Sequence, residues 1–345
     1  MQVGLVTGKN KVELVDFPEP TLTAEHAIVE ISYCGICGTD VHAYQSGRDY
    51  NPAICGHEWV GHVSAVGRDV QTCKEGDRVA MGGRVSCGEC GPCAAGNSAY
   101  CEPAFLTMIG QGRLASTHGG FAPRLAVDGA RLFTVAGDMS DADAALLEPA
   151  TIAMHAVRRS RVRVGDSVVV LGGGPIGLFV VQCAKLAGAG RVVLLEPQPG
   201  RRALGLTCGA DEVLNPRDDD LREKLAASVG ALGADVVFEC AGVAATIDQA
   251  VHIVRRGGFV SLVGVVEGTA EIVPASWLVK EIDLTTSLAA LREEFLITRD
   301  LVQDGRLITA PLHTQTLPLS RIAEGFAELA SNPEQVKILV DPRAE

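Results

Sequence analysis

Two hydrophobic rhythms divide the chain. Up to about residue 150 the apolar residues come in short β-like runs separated by glycine turns. Residues 27–31 (AIVEI), 61–67 (GHVSAVG) and the turn-then-strand stretch 75–81 (EGDRVAM) are of this kind. Such runs predict an irregular β domain. After Pro149 the runs become fully apolar and alternate with helical periods. Residues 168–171 (VVVL) read as a buried strand, 172–177 as a glycine-rich turn, and the stretch through Leu186 as a helix. Residues 192–195, 234–242 (ADVVFECAG) and 257–266 (GGFVSLVGVV) read as further buried strands, with helices over 201–206 and 246–254. Continuous apolar strands alternating with helices predict a parallel sheet covered on both faces. Near residue 290 the rhythm shifts again. Residues 292–306 (REEFLITRDLVQDGR) predict an amphipathic helix ending at Gly305, and 336–340 (VKILV) a last strand returning to the first domain.

Composition narrows the function classes. A chain of 345 residues is too long for one ordinary core and suits two domains. With 47% hydrophobic and 21% charged residues it has the profile of a soluble globular protein. The net charge of −12 argues against a nucleic-acid partner. No apolar run reaches the roughly 18 residues of a membrane span. Lys9, Asn10 and Lys11 follow Met1 too closely for a secretory leader. The 11 cysteines are odd in number, and four have a metal-site spacing, so a reduced cytoplasm is expected.

Residues 172–177 (GGGPIG) satisfy G-x-G-x-x-G between an apolar strand and a helix, the context in which the motif cradles a dinucleotide. Gly172 permits the tight turn, Gly174 lets the backbone approach a pyrophosphate, and Gly177 lets helix and strand pack. Pro175 and Ile176 open the helix whose N-terminus faces the phosphates. Glu196 ends the next strand, where an acidic residue receives the adenine-ribose hydroxyls and disfavours the extra phosphate of NADP. Arg201 and Arg202 follow closely. They either pair with that phosphate or, in the case of Arg201, stack on adenine. NAD is expected over NADP.

Cys87, Cys90 and Cys93 are separated by Gly-Glu and Gly-Pro, and Cys101 follows after seven residues. These spacers turn four sulfurs toward one centre, the pattern of a closed tetrahedral zinc site rather than of disulfides. With no position left for water, its role would be structural. A second set of ligand-type residues lies upstream: Cys37 in GICGTD, and His57 with Glu58 in GHEW. Read from spacing alone, it is either a catalytic metal site or a core histidine beside buried thiols. Cys34 and Cys37 would equally suit a redox pair.

At the level of motifs the chain resembles the zinc-dependent medium-chain dehydrogenase/reductases, in the branch of polyol, butanediol and threonine dehydrogenases. The resemblance is carried by YCGICGTDVH (33–42), GHEWVGHVSAVG (56–67), GDRVA (76–80), the four-cysteine loop, LLEPATIAMHAV (146–157), VVLGGGPIGL (169–178), GADEV (209–213) and VKILVDP (336–342). It implies an α/β fold, with a GroES-like catalytic domain over 1–150 and 289–345 and a Rossmann domain over 151–288. Two zinc ions per subunit are implied, one held by Cys87, Cys90, Cys93 and Cys101. The catalytic one falls to Cys37 and His57, with Glu58 or Glu148 as the inner carboxylate. Thr39 is the hydroxyl that passes the alcohol proton outward, and His42 is a candidate relay. Residues 287–291 (SLAAL) match the crossing where family backbone meets the nicotinamide. The implied activity is NAD-linked interconversion of a secondary alcohol (polyol, diol or cyclic) and its ketone, in a homodimer or homotetramer, with 268–273 (GTAEIV) as a candidate edge segment. An L-threonine-type dehydrogenase, a carbonyl reductase and a non-catalytic NAD(H)-binding protein are the alternatives. Two segments depart from the family pattern. The stretch between His42 and His57 is short, and Pro123-Arg124 follows HGGFA where a Glu-Tyr pair is common.

Overall fold

The computed structural model describes residues 1–135 and 137–344. The chain forms two compact units, Met1–Glu148 with Ala290–Glu345, and Pro149–Ala289. In chain order the strands are β1 (Gln2–Gly8), β2 (Lys11–Asp16), β3 (His26–Gly35), β4 (Glu58–Val66), β5 (Arg78–Met81), β6 (Arg124–Asp128) and β7 (Leu132–Thr134). The second unit holds β8 (Ser167–Leu171), β9 (Arg191–Leu195), β10 (Glu212–Leu214), β11 (Ala234–Glu239), β12 (Val254–Leu262) and β13 (Asp283–Thr286). The chain then adds β14 (His313–Pro318) and β15 (Lys337–Asp341) to the first.

The first unit is built on a seven-stranded sheet of order β14-β15-β3-β4-β5-β7, with β6 paired to β3. Strand β3 is its spine. It pairs antiparallel with β4, β6 and β15, so residues far apart in sequence meet around it. Its inner face packs Ile31, Val29, Trp59, Phe121, Phe326 and Ile338 into one core. The VKILV run is buried along β15 as its apolar pattern predicts, and it brings Lys337 inside the unit with the strand.

The second unit has the parallel sheet that its apolar runs predict. The order is β10-β9-β8-β11-β12-β13, and every pair is parallel. This is the doubly wound order, reversing between β8 and β11, and ligands of such sheets bind at the carboxyl ends beside that reversal. Helices Pro175–Leu186 and Ala244–Ile253 are the crossovers nearest the reversal. Residues 268–273 carry no strand, and the sheet ends at β13. Among the described residues that segment finds no partner strand, so its β-like composition is not expressed as sheet within one chain. Among the described residues no helix is long and apolar enough to cross a membrane.

Candidate active site and metal centres

The residues of the first centre are positioned by β3, β4 and the helix Gly38–Ser46. Cys37 caps that helix: its backbone N–H donates to Asp40 Oδ2 at 3.0 Å, the reciprocal cap that fixes the first turn. The turn carries Thr39 and, one helical step further on, His42. His42 Nδ1 is shielded from water and has no hydrogen-bond partner among the described residues. At the other side, His57 Nδ1 donates to the Ile54 carbonyl at 2.8 Å, which leaves the lone pair on Nε2. Ligand atoms of Cys37, His57 and Glu58 all lie within 4.8 Å of one another. A soft sulfur, an imidazole and a carboxylate form a donor set that fits zinc.

Charge in this centre is unusually concentrated. Glu58 and Asp40 are 1% and 0% exposed. Burial raises the pKa of Asp40, against the pull of His57 and the hydrogen bond from Tyr50. Burial also pushes Glu148, near the start of the helix Leu147–Arg159, up to about 7. His57 and Lys337 pull Glu148 the other way, and Glu58 adds to the rise. Glu148 stands outside the three-residue group but close enough to feel its charges. Burial alone would depress His57; the negative charges of Cys37, Asp40 and Glu148 outweigh it and hold the imidazole well above its ordinary value.

Lys337 supplies the balancing cation. Its ammonium, 2% exposed, donates to both oxygens of Glu58 at 2.8 and 2.5 Å and to the Ile36 carbonyl at 2.9 Å. Burial works against that charge, but Glu58 and then Cys37 raise its pKa. Neither Lys337 nor Asp40 stands out as a site residue in the sequence. The only signal for Lys337 is a lone charged residue inside an apolar strand, and for Asp40 an acid at the third position of a helix. Cys34 lies under the centre but is no redox partner: it is fully buried, its thiol donates weakly to Gly35, and burial, then Asp40 and Glu58, push its pKa far up. Cys55 is likewise buried, on the Gly4 carbonyl.

The second centre is a solvent-facing loop. The four sulfurs of Cys87, Cys90, Cys93 and Cys101 lie within 4.8 Å of one another. Sulfurs bound at about 2.3 Å to one zinc stand about 3.8 Å apart, so the set fits a tetrahedral ion. Backbone N–H groups already point at sulfur: Cys87 to Cys101 Sγ at 3.2 Å, and Cys90 to Cys87 Sγ at 3.3 Å. The backbone N–H of Cys93 leads the effects that draw the Cys90 thiol down to about 7. Cys93 is driven the other way, up to about 12, by desolvation and then by its hydrogen bond with Cys90, so the loop favours a thiolate at Cys90 and a shared proton at Cys93 until an ion takes its place.

The glycine turn over 172–177 lies at the carboxyl end of β8, beside those of β9 and β11. Gly172 has φ 99°, and a Cβ there would lie 2.8 Å from Ala241 backbone; one on Gly177 would overlap the Gly172 carbonyl. Only glycine fits either place. Gly174 is the N-cap of the helix Pro175–Leu186, with Pro175 and Ile176 in its first turn. Glu196 is 4% exposed and accepts from Gly173 N at 2.7 Å and Gln198 N at 2.8 Å. It is thereby fixed at the lip of the glycine turn. Arg201 lies half-buried on the helix Pro199–Thr207, while Arg202 donates to the carbonyls of Glu196 and Pro197.

Comparison with known proteins agrees with both units. Residues 23–137 match the alcohol dehydrogenase GroES-like domain and residues 175–304 the zinc-binding dehydrogenase domain. The chain is 33% identical over 320 residues to 2-dehydro-3-deoxy-L-galactonate 5-dehydrogenase of Pseudoalteromonas atlantica, covering 92% of each. The crystal structure of 2R,3R-butanediol dehydrogenase from Bacillus subtilis superposes with a TM-score of 0.85 at 30% identity, over 99% of both chains. A chain from Sinorhizobium meliloti 1021, solved bound to NADP, gives a TM-score of 0.85 at 29% identity, again over 99% of both. The fold, the donor sets and these matches lead to one conclusion: the chain belongs to the zinc-dependent medium-chain dehydrogenases, oxidoreductases of the alcohol and polyol class.

Proposed function

We propose that the protein interconverts a secondary alcohol and its ketone, with NAD as hydride carrier and two zinc ions per subunit. The observation that carries this reading is the meeting of Cys37, His57 and Glu58 at the mouth of the helix bearing Thr39 and His42. Cys37 and His57 would hold the catalytic ion with a carboxylate of Glu58 or Glu148, and the four-cysteine loop the structural one. When bound, zinc supplies Lewis acidity and NAD the hydride-accepting ring. Thr39 takes the proton of the substrate hydroxyl and hands it toward His42, three residues on and on the same helical face. Nδ1 of His42, without a hydrogen-bond partner among the described residues, is what supports this role. Lys337 offsets the charge of Glu58, so the pocket is not left with two uncompensated carboxylates.

Glu196 supports NAD over NADP, because its fixed carboxylate would face an added 2′-phosphate. The relatives act, by their names, on a sugar acid and on butanediol, and a polyol, diol or related hydroxy acid is the substrate class we favour. Val265, Ile272, Val273, Leu278, Val279 and Leu288 are exposed in the second unit and support a homo-oligomer. Eleven free thiols suit a reducing cytoplasm. The test is a screen of zinc-loaded enzyme for NADH formation with diols, polyols, sugar acids, cyclic alcohols and β-hydroxy amino acids. Turnover of at least one vicinal diol or polyol is expected. Silence toward every alcohol, and toward ketones with NADH, would overturn the reading.

A further inference from the structure

The second unit buries a carboxylate that nothing in the scheme above uses. Glu239 is the last residue of β11, 0% exposed, beside the reversal of strand order. Its Oε1 accepts from the backbone N–H groups of Ala241 and Gly242, each at 2.9 Å. The Thr246 hydroxyl lies 2.7 Å from the same oxygen and is shared with the Val243 carbonyl. Its Oε2 is shielded from water and has no hydrogen-bond partner among the described residues. Glu58 is matched by Lys337, but no such cation pairs with Glu239 among the described residues.

The bare oxygen has a definite place. Gly264, in the turn after β12, comes so close that a Cβ there would lie 2.7 Å from Oε2 and 2.4 Å from Gly242 N. The Glu239 carbonyl accepts from Val263 N and Gly264 N at 2.9 Å. Oε2 is therefore lodged between the turns that follow β11 and β12. Ala241, held by Oε1, backs onto the glycine turn, since its backbone is what a Cβ on Gly172 would meet at 2.8 Å. In a doubly wound sheet the strands on either side of the reversal serve the two halves of a dinucleotide. Glu196, which follows β9, marks the adenosine half, so Glu239 and its turns stand on the nicotinamide side of β8.

A buried charge without a counter-ion is costly to keep, and salt screens it weakly. Backbone dipoles answer only one of the two Glu239 oxygens. The oxidised nicotinamide ring carries a positive charge and the reduced ring carries none. A carboxylate on that side therefore tells the two forms apart by attraction through protein of low dielectric, without touching the ring. We propose that Glu239 is a specificity-determining residue for the redox state of the cofactor, its buried negative charge favouring NAD+ over NADH. The proposal rests on the NAD-linked reading above.

The experiment measures the Kd of NAD+ by calorimetry and of NADH by fluorescence, without alcohol, for the zinc-loaded wild type and for Glu239→Gln. Glutamine keeps an oxygen for Ala241 and Gly242 and removes the charge. The ratio of the NAD+ Kd to the NADH Kd should rise on the order of fivefold in the variant, through weaker binding of NAD+. AMP, which has no nicotinamide, should bind the two proteins within about twofold. A residue that only braces the turns would weaken NAD+ and NADH together, and an unchanged or lowered ratio would overturn the proposal. So would an AMP affinity that falls as far as that of NAD+. If Glu239→Gln does not fold, Glu239→Asp decides: with the charge kept, its ratio should stay within about twofold of wild type, and a rise of the size expected for glutamine would sink the idea. An unchanged ratio ends this inference alone; a wild type that binds neither NAD+ nor NADH ends the NAD-linked reading itself.

Discussion

The two metal-type centres are built from overlapping donors, yet they solve opposite electrostatic problems. Around Cys87, Cys90, Cys93 and Cys101 the loop faces solvent, with Cys87 exposed and only Cys101 buried. Water screens the thiolates, backbone N–H groups stabilise them, and four sulfurs leave an ion no open position. Around Cys37 and His57 a half-buried thiol, imidazole and Glu148 carboxylate meet the fully buried carboxylates of Glu58 and Asp40. There the protein needs a cation of its own, and Lys337 provides it. A closed cage only has to be held together. A centre meant for chemistry must keep one position open while its charges stay balanced.

Removing a ligand from each centre should separate these roles. The largest effect is expected at Cys37. Its replacement by alanine should abolish turnover and cost one of the two proposed zinc ions, while the four-cysteine ion stays. NADH formation and metal analysis on the same preparation check both halves. Wild-type turnover in that variant would end the assignment of the catalytic centre.

Lys337 tests the charge balance directly. Lys337→Met leaves Glu58 buried without a partner, a change that costs about 3–5 kcal/mol when a buried pair is broken from one side. Urea unfolding of the zinc-loaded protein should report a loss of that order. Adding Glu58→Gln should recover much of it, because no naked charge then remains. If the single variant loses less than about 1 kcal/mol, the pair is not what balances the pocket.

These residues also mark the limit of what the sequence could say. The doubly wound sheet was legible because strands buried on both faces are written as continuous apolar runs, as in 168–171 and 234–239. The helix Pro175–Leu186 ends at the residue its periodicity predicts. The glycine cradle was legible because Gly172 and Gly177 answer to local sterics. The grouping of Cys87, Cys90, Cys93 and Cys101 followed from short spacers. Lys337 and Asp40 were not legible as site residues. Lys337 reaches Glu58 across 279 positions of sequence, through the pairing of β15 with β3 and of β3 with β4. No local pattern encodes such a contact. The absence of sheet over 268–273 has the same origin, since a strand needs a partner that composition cannot supply.

The structural centre should respond differently from the catalytic one. Cys101→Ser should release the four-cysteine ion and lower the melting temperature by on the order of 5 °C, as the lobe loses its organising ion. Turnover below that transition should persist, because Cys37, His57 and Glu58 belong to other elements. Loss of activity at temperatures where the variant is still folded would erase the distinction between the centres.

Acid should strip both centres by protonating their ligands, and the smallest expected effect serves to separate that from the fold's own response. His118 is 1% exposed, set edge-on to Phe17, and its Nδ1 donates to the Gly119 carbonyl at 2.8 Å. Burial depresses its pKa, and the Gly119 bond only partly restores it. The unfolded chain therefore takes up a proton near the ordinary histidine value of about 6.5, while the folded chain still refuses it. Where the unfolded state binds more protons, stability rises with pH. His118 thus contributes stability that is present above about pH 6.5 and lost as pH falls below it. His118→Asn keeps an N–H for the carbonyl and removes the titration. Its melting temperature should fall less than that of the wild type between about pH 7.5 and 5.5. Parallel curves for the two proteins would mean that acid acts through the metal ligands alone, and that the contrast between the two centres carries the whole pH response.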